Sequence, residues 1–190
     1  MDRAHFFDQI RQHPFGGKMT QSQVDGTTAL LDAWEKHAPA SDPRFIAATM
    51  GTTYHETAAT MQPIAEIGKG RTRSYGQPAG PYKQTYYGRG LVQLTWERNY
   101  IHATTRLRAH GVIGIDTNLD KTPDLAMRPD IAAAVMVFGC LEGWFTGKKL
   151  ADFFVGTRSD WIDARTIING HDCAAKIAAY SLHFYHALAA

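Results

Sequence analysis

The stretch Tyr86-Tyr87-Gly88-Arg89-Gly90-Leu91-Val92-Gln93-Leu94-Thr95 decides how this chain is read, together with His55-Glu56-Thr57 and Glu66 upstream of it. Glu56 lies among small and apolar residues, where an unpaired carboxylate is costly, so it is kept there for a reason. That reason is either chemistry or an internal partner, such as Thr52, Thr53 or a nearby arginine. Glu66 opens a region of different composition, reaching Gly90 and rich in Gly, Pro and basic residues, with four tyrosines. Loops of that length are functional or disordered, and the tyrosines argue against disorder.

Outward from these blocks the pattern is helical. Arg3 to His13 places Phe6, Phe7 and Ile10 on one side before Phe15-Gly16-Gly17 turns the chain. Thr20 followed by Gln23 is a capping-box signature, and the helix it starts runs through Leu30, Leu31 and Trp34 to His37. Asp42-Pro43 predicts an N-cap and first helical position for a helix carrying Phe45, Ile46, Met50 and Tyr54 to about Met61, with Pro63 stopping it. Its other faces hold Ala47, Ala48, Gly51, Ala58 and Ala59, as a central helix packed on nearly all sides would. Thr95 is placed to cap a helix through Leu107 closed by Gly111. Further helices are predicted over 129–141, 160–168 and 172–188, with at most a small hairpin near Tyr86 to Leu94.

Composition narrows the function classes. At 190 residues and 44% hydrophobic the chain suits a single domain, 1–190, with the first forty residues packing on its core and no separate binding module. The longest apolar run, Ile131 to Leu141, is far short of the roughly 20 residues of a spanning helix. The charged N-terminus lacks a signal-peptide core, which predicts a cytoplasmic protein with no stable membrane insertion. Cys140 and Cys173 fit reduced buried thiols. A net charge of +2 does not indicate a nucleic-acid binder, although Lys69, Arg71, Arg73, Lys83 and Arg89 gather in one loop that either faces an anionic polymer or is simply solvated.

Glycosidic bond hydrolysis needs two carboxylates, one protonated to assist the leaving oxygen and one ionised to activate water or attack the sugar. Glu56 and Glu66 are the candidates, because Pro63 breaks the helix between them and lets the second swing back across a groove. Burial in a helix suits Glu56 as acid, and the polar loop suits Glu66 as base. Gln93, Thr95 and Asn99 place three hydrogen-bonding side chains within one turn, a plausible lining for a sugar cleft. Other chemistries fit poorly. His55-Glu56 starts a zinc-protease motif, but its second histidine position is Ala59, and no other ligand spacing suggests a metal. Gly68-Lys69-Gly70 lacks the end of a P-loop, and no Ser or Cys nucleophile stands out.

At these residues the chain resembles the family 19 glycoside hydrolases, the chitinase and phage-endolysin group with a lysozyme-like fold. The resemblance is carried by His55-Glu56-Thr57, Glu66, the block Tyr86 to Thr95 with Asn99-Tyr100, and Ile167-Ile168-Asn169-Gly170. It implies a mainly α, bilobal helical domain with a catalytic cleft, and an inverting mechanism with Glu56 as general acid, Glu66 as general base and Thr95 holding the attacking water. It further implies sugar contacts from His55, Tyr87, Gln93, Asn99 and Asn169, a supporting Arg165, and no cofactor. The gap of ten residues between the glutamates and the scarcity of cysteine are similar to the lysis enzymes of phages and prophages rather than to plant-type chitinases. The expected substrate is therefore peptidoglycan, cut by a monomeric muramidase-type endolysin that waits in the cytoplasm for release through a holin. Chitin hydrolysis is the alternative, and a non-catalytic glycan-binding protein is the alternative from another class.

Overall fold

A computed structural model describes residues 1–190. The architecture is mainly α: α1 (Arg3–Gln12), α2 (Gln21–His37), α3 (Pro43–Glu56), α4 (Glu97–Ala109), α5 (Pro129–Glu142) and α6 (Ala174–Ala189). Two short antiparallel pairs accompany them, β1 (Ile64–Ala65) with β2 (Arg89–Gly90) and β3 (Phe154–Val155) with β4 (Arg158–Ser159). The second pair has no counterpart among the sequence expectations. The expected hairpin is real only in part: Arg89 bridges to Leu94 locally, but the ladder partner of Arg89–Gly90 is the strand just before Glu66.

Local signals start the helices as anticipated. Thr20 and Gln23 form the reciprocal capping box of α2, and Asp42 caps α3 with proline in its first turn. α3 is enclosed over its middle, with Ala47 to Thr53 all buried. It lies along α6, where a Cβ on Gly51 would collide with Ser181, and it also touches α2 and α5. α5 is apolar all round and buried from Ile131 to Cys140, as a core helix must be. Phe6 and Ile10 of α1 join the same apolar cluster, and α1 packs on α6.

Three expectations about helices need correction. α3 ends at Glu56 rather than near Met61, because residues 57–62 are drawn onto the first turns of α2. The Gln23 side chain donates to the Ala59 carbonyl at 2.9 Å, that of Gln62 donates to Ser22 O at 2.5 Å, and the Met61 carbonyl rests on Gly26. Ala58, Ala59 and Met61 accordingly have positive φ of 50°, 64° and 57°. Thr95 does not cap α4; Trp96 occupies the N-cap with no side-chain bond. The 160–168 segment forms only a 3-10 turn, Asp163–Ile167, since Ile168 and Asn169 both donate to the Arg165 carbonyl and Thr166 Oγ donates to Asp163 O. Two surface expectations also change. Cys173 is exposed while Cys140 is buried, and Arg89 is buried, so it does not belong to the basic face.

The contact between Gly26 and Met61 makes a stability prediction. Gly26→Ala drives a methyl group into the Met61 carbonyl, and such overpacking costs about 1–3 kcal/mol. Urea unfolding followed by circular dichroism is expected to show that loss; a midpoint equal to that of the wild type would mean that 57–62 is not pinned there.

Candidate active site

Ending α3 at Glu56 changes the surroundings of this carboxylate. It stands at a helix end rather than inside a helix, half-buried, and Arg165 Nη1 donates to its Oε1 at 2.5 Å. Arg165 comes from the 3-10 turn Asp163–Ile167 and is 3% exposed, whereas Glu56 keeps 19% of its side chain open to solvent. Arg165 Nε also donates to Asp172 O at 3.3 Å, which fixes the guanidinium from a second side. The internal partner that composition suggested for Glu56 is therefore present, and it is an arginine. The pairing leaves Oε2 of Glu56 as the oxygen without that contact.

Glu66 directly follows β1, and its carboxylate is held at both ends. Tyr75 Oη donates to Oε1 at 2.9 Å, the Gly88 N–H donates to Oε2 at 3.0 Å, and the Glu66 N–H returns a bond to Gly88 O at 2.7 Å. Tyr75 is in turn set by two glycines: a Cβ on Gly70, at φ +63°, would enter its ring, and one on Gly76 would strike the Gly70 carbonyl. The hydrogen bond to Glu66 pushes the Tyr75 phenol above its usual range, so it stays a donor. Sequence reasoning missed both anchors. Tyr75 was signalled only as one of the loop tyrosines, and a backbone N–H has no signature at all.

Gln93, Thr95 and Asn99 are brought together as expected. Asn99 Nδ2 donates to Thr95 O at 2.7 Å, Thr95 Oγ donates to Gln93 O at 2.7 Å, and Gln93 Nε2 reaches Ile64 O at 3.2 Å, tying the group to the strand that leads into Glu66. The backbone through this point is strained, with Gln93 at φ +55° and Trp96 at φ +72°. Non-glycine residues held there cost about 1–3 kcal/mol each and cluster at functional sites.

The remaining expected residues sit less centrally. Tyr87 is buried, its ring under the Arg89 guanidinium at 3.5 Å and its carbonyl accepting from Tyr100 Oη at 2.8 Å. Arg89 in turn bonds Asp124, Thr85 O and Tyr100 Oη. The Tyr-Tyr-Gly-Arg-Gly block thus builds the wall that positions Glu66 through Gly88. His55 is half-buried in the last turn of α3 and makes no side-chain hydrogen bond. Asn169 is exposed; its N–H donates to the Arg165 carbonyl at 3.3 Å and its Oδ1 accepts from Gly170 N–H at 2.9 Å, so it lies on the Glu56–Arg165 side.

Among solved structures, the chain is similar to chitinase C from Streptomyces griseus HUT6037, with 22% identity and a TM-score of 0.57 over 98% of this chain and 75% of that one. A mutant of chitinase C gives 21% identity and a TM-score of 0.45, covering 93% of this chain and 75% of that one. A bacterial family 19 chitinase gives 21% and 0.42, covering 94% and 93%. No protein-family model matches the chain, and no curated protein matches it. The likeness to the first of these defines the fold: six helices with small two-stranded sheets, the helical lysozyme-like arrangement of family 19 chitinases.

Proposed function

We propose that this protein is a glycoside hydrolase that cuts β-1,4 bonds of the bacterial wall glycan by a single inverting displacement. One observation carries the reading: two carboxylates ten positions apart are each tethered by a different partner and each still partly exposed. Glu56 is the general acid; with Oε1 held by Arg165, its free Oε2 takes up a proton from solvent and passes it to the leaving oxygen. Glu66 is the base. Two donors fix the orientation of its carboxylate, and its remaining lone pairs accept from a water that the Thr95 hydroxyl, aimed at Gln93 O, helps to hold.

Peptidoglycan is favoured as substrate by the exposed cations Lys69, Arg71 and Arg73 in the segment that follows Glu66, with Lys83 exposed further along the same loop, which add attraction to an anionic polymer. Chitin is the second reading, favoured by the fold likeness to a Streptomyces chitinase. On the first reading the protein is a monomeric endolysin that gains its substrate when a holin opens the inner membrane. Mass spectrometry of borohydride-reduced products from purified peptidoglycan tests the choice. Reduced N-acetylmuramic acid ends support muramidase action; an undigested wall together with cleaved chitin oligomers would replace it with the second reading, and binding without cleavage of either polymer would leave a glycan-binding protein.

Thr95 yields a separate prediction. Because it caps no helix, Thr95→Ala should change the unfolding free energy by less than about 1 kcal/mol. Losing the water's partner should nevertheless lower turnover by about 10²-fold. Paired measurements of reducing-end release and thermal midpoint check this, and a destabilised variant with unchanged activity would mean the hydroxyl is structural.

A further inference from the structure

A cavity of about 620 Å³ lies between α4 and the C-terminal turn of α5, and Asn99 is common to its lining and to the Gln93-Thr95-Asn99 group. That volume is in the range of small-molecule sites. α4 presents Arg98, His102 and Arg106 at four-residue intervals along one face, with Asn99 beside them. Across the cavity stands Trp144, delivered by Gly143, which ends α5 in the left-handed region at φ +79°.

The indole is held rigidly. Glu142 accepts from Trp144 Nε1 at 2.7 Å, from Arg106 Nε and Nη2 at 2.9 and 2.8 Å, and pairs with His110 Nε2 at 2.7 Å. Burial alone would push this carboxyl up, but bonds from Arg106, Trp144 and His110 pull it down to about 2. Its charge and acceptor capacity are thus taken up inside the protein, and its effect is to fix Trp144, which meets the His102 ring edge-on at 5.3 Å and 86°.

Other groups in the cavity are unengaged. Neither Arg98 nor His102 makes an ion pair or hydrogen bond within the protein, and Asn99 uses its Nδ2 on Thr95 while its Oδ1 stays open. An indole face suits the C–H face of a pyranose. An amide oxygen suits the N–H of an acetamido group, and a free guanidinium suits a carboxylate in bidentate fashion. Formal charges of the lining, Arg98 and Arg106 against Glu142, leave one positive charge that a neutral polymer does not need.

We infer that this cavity is a subsite for an N-acetylated sugar unit carrying a carboxylate, gripped by Arg98 and Trp144 and joined to the Thr95 side of the cleft through Asn99. The inference rests on the proposed glycan hydrolysis for its use, and it makes Arg98 the residue that separates wall glycan from chitin. The carboxylate has two possible sources, a lactyl ether on the sugar itself or a peptide attached to it.

Titration calorimetry of the full chain tests this with three probes: the N-acetylglucosaminyl-N-acetylmuramic acid disaccharide, the same disaccharide bearing a stem peptide, and neutral chitobiose. Arg98→Ala, at an exposed position where folding is not at stake, should weaken the acidic probes by about tenfold, the loss of one charge-assisted contact, and leave chitobiose unchanged. Trp144→Ala should weaken all three, with Trp144→Phe restoring part of the affinity if the stacking plane matters. Loss confined to the peptide-bearing probe places the carboxylate on the peptide; loss confined to the peptide-free disaccharide places it on the lactyl group, whose carboxyl becomes an amide once a peptide is attached; loss with both shows that the guanidinium accepts a carboxylate from either source. Kinetically, Arg98→Ala should raise KM on peptidoglycan with kcat unchanged. Equal effects of Arg98→Ala on acidic and neutral probes, or none on either, overturn the subsite. A wild type that cleaves no polymer but loses acidic binding on this substitution would overturn the hydrolase reading and leave the subsite standing.

Discussion

Glu56→Gln is expected to lower glycan turnover by about 10²–10⁴-fold, the range a positioned general acid contributes. Glutamine keeps the shape of the side chain and an oxygen for Arg165 Nη1, but cannot supply the proton that the proposed mechanism draws from Glu56. It also removes the negative charge beside a guanidinium that is 3% exposed. Because Glu56 still touches solvent, that second loss should stay near 1–2 kcal/mol, or a few degrees in thermal midpoint. Reducing-end release and circular dichroism on the same preparation separate the two effects. A folded variant with turnover within threefold of wild type would remove Glu56 from the acid role.

Arg165→Met should produce the largest stability loss among these variants. Methionine fills the buried space but leaves Glu56 without its partner and the Asp172 carbonyl without its donor. Removing one member of a buried pair costs about 3–5 kcal/mol, reduced here to about 2–3 because Glu56 is partly exposed. Turnover should fall with it, since Oε1 is no longer held. Arg165→Lys restores the charge but cannot reach Glu56 and Asp172 together, so it should recover only part of both losses. An unfolding midpoint for Arg165→Met equal to wild type would show that the pair contributes nothing to stability.

What could be read from the sequence was local. Capping at Thr20–Gln23 and Asp42–Pro43 depends on side chains three or fewer residues from the backbone groups they satisfy, and both helices begin where these signals stand. The end of α3 was not readable, because it is set by α2 through Gly26, Gln23 and Met61, residues whose proximity no periodicity reveals. Thr95 looked like a cap for the same reason: its residue type fits, but the turn at Gln93 and Trp96 carries it past the capping position. At the candidate site, Glu56, Glu66 and the Gln93-Thr95-Asn99 group could be singled out by residue type and spacing, and the last three are hydrogen-bonded neighbours. The anchors of the carboxylates could not be, since one is the Gly88 N–H and another is Tyr75, an ordinary loop tyrosine by composition. Arg165 was reached only through family resemblance, and its partner is 109 residues away along the chain.

That separation implies an order of assembly. The Glu66 carboxylate is tethered to Tyr75 across nine residues and to Gly88 across 22, so its loop can close early and at small entropic cost. The Glu56 contact joins segments 109 residues apart, and such non-local contacts form only after most of the chain has condensed. During refolding, the Glu66 loop should gain protection from hydrogen exchange before the turn that carries Arg165. Activity then reports a late long-range closure in folding, not the first compact state.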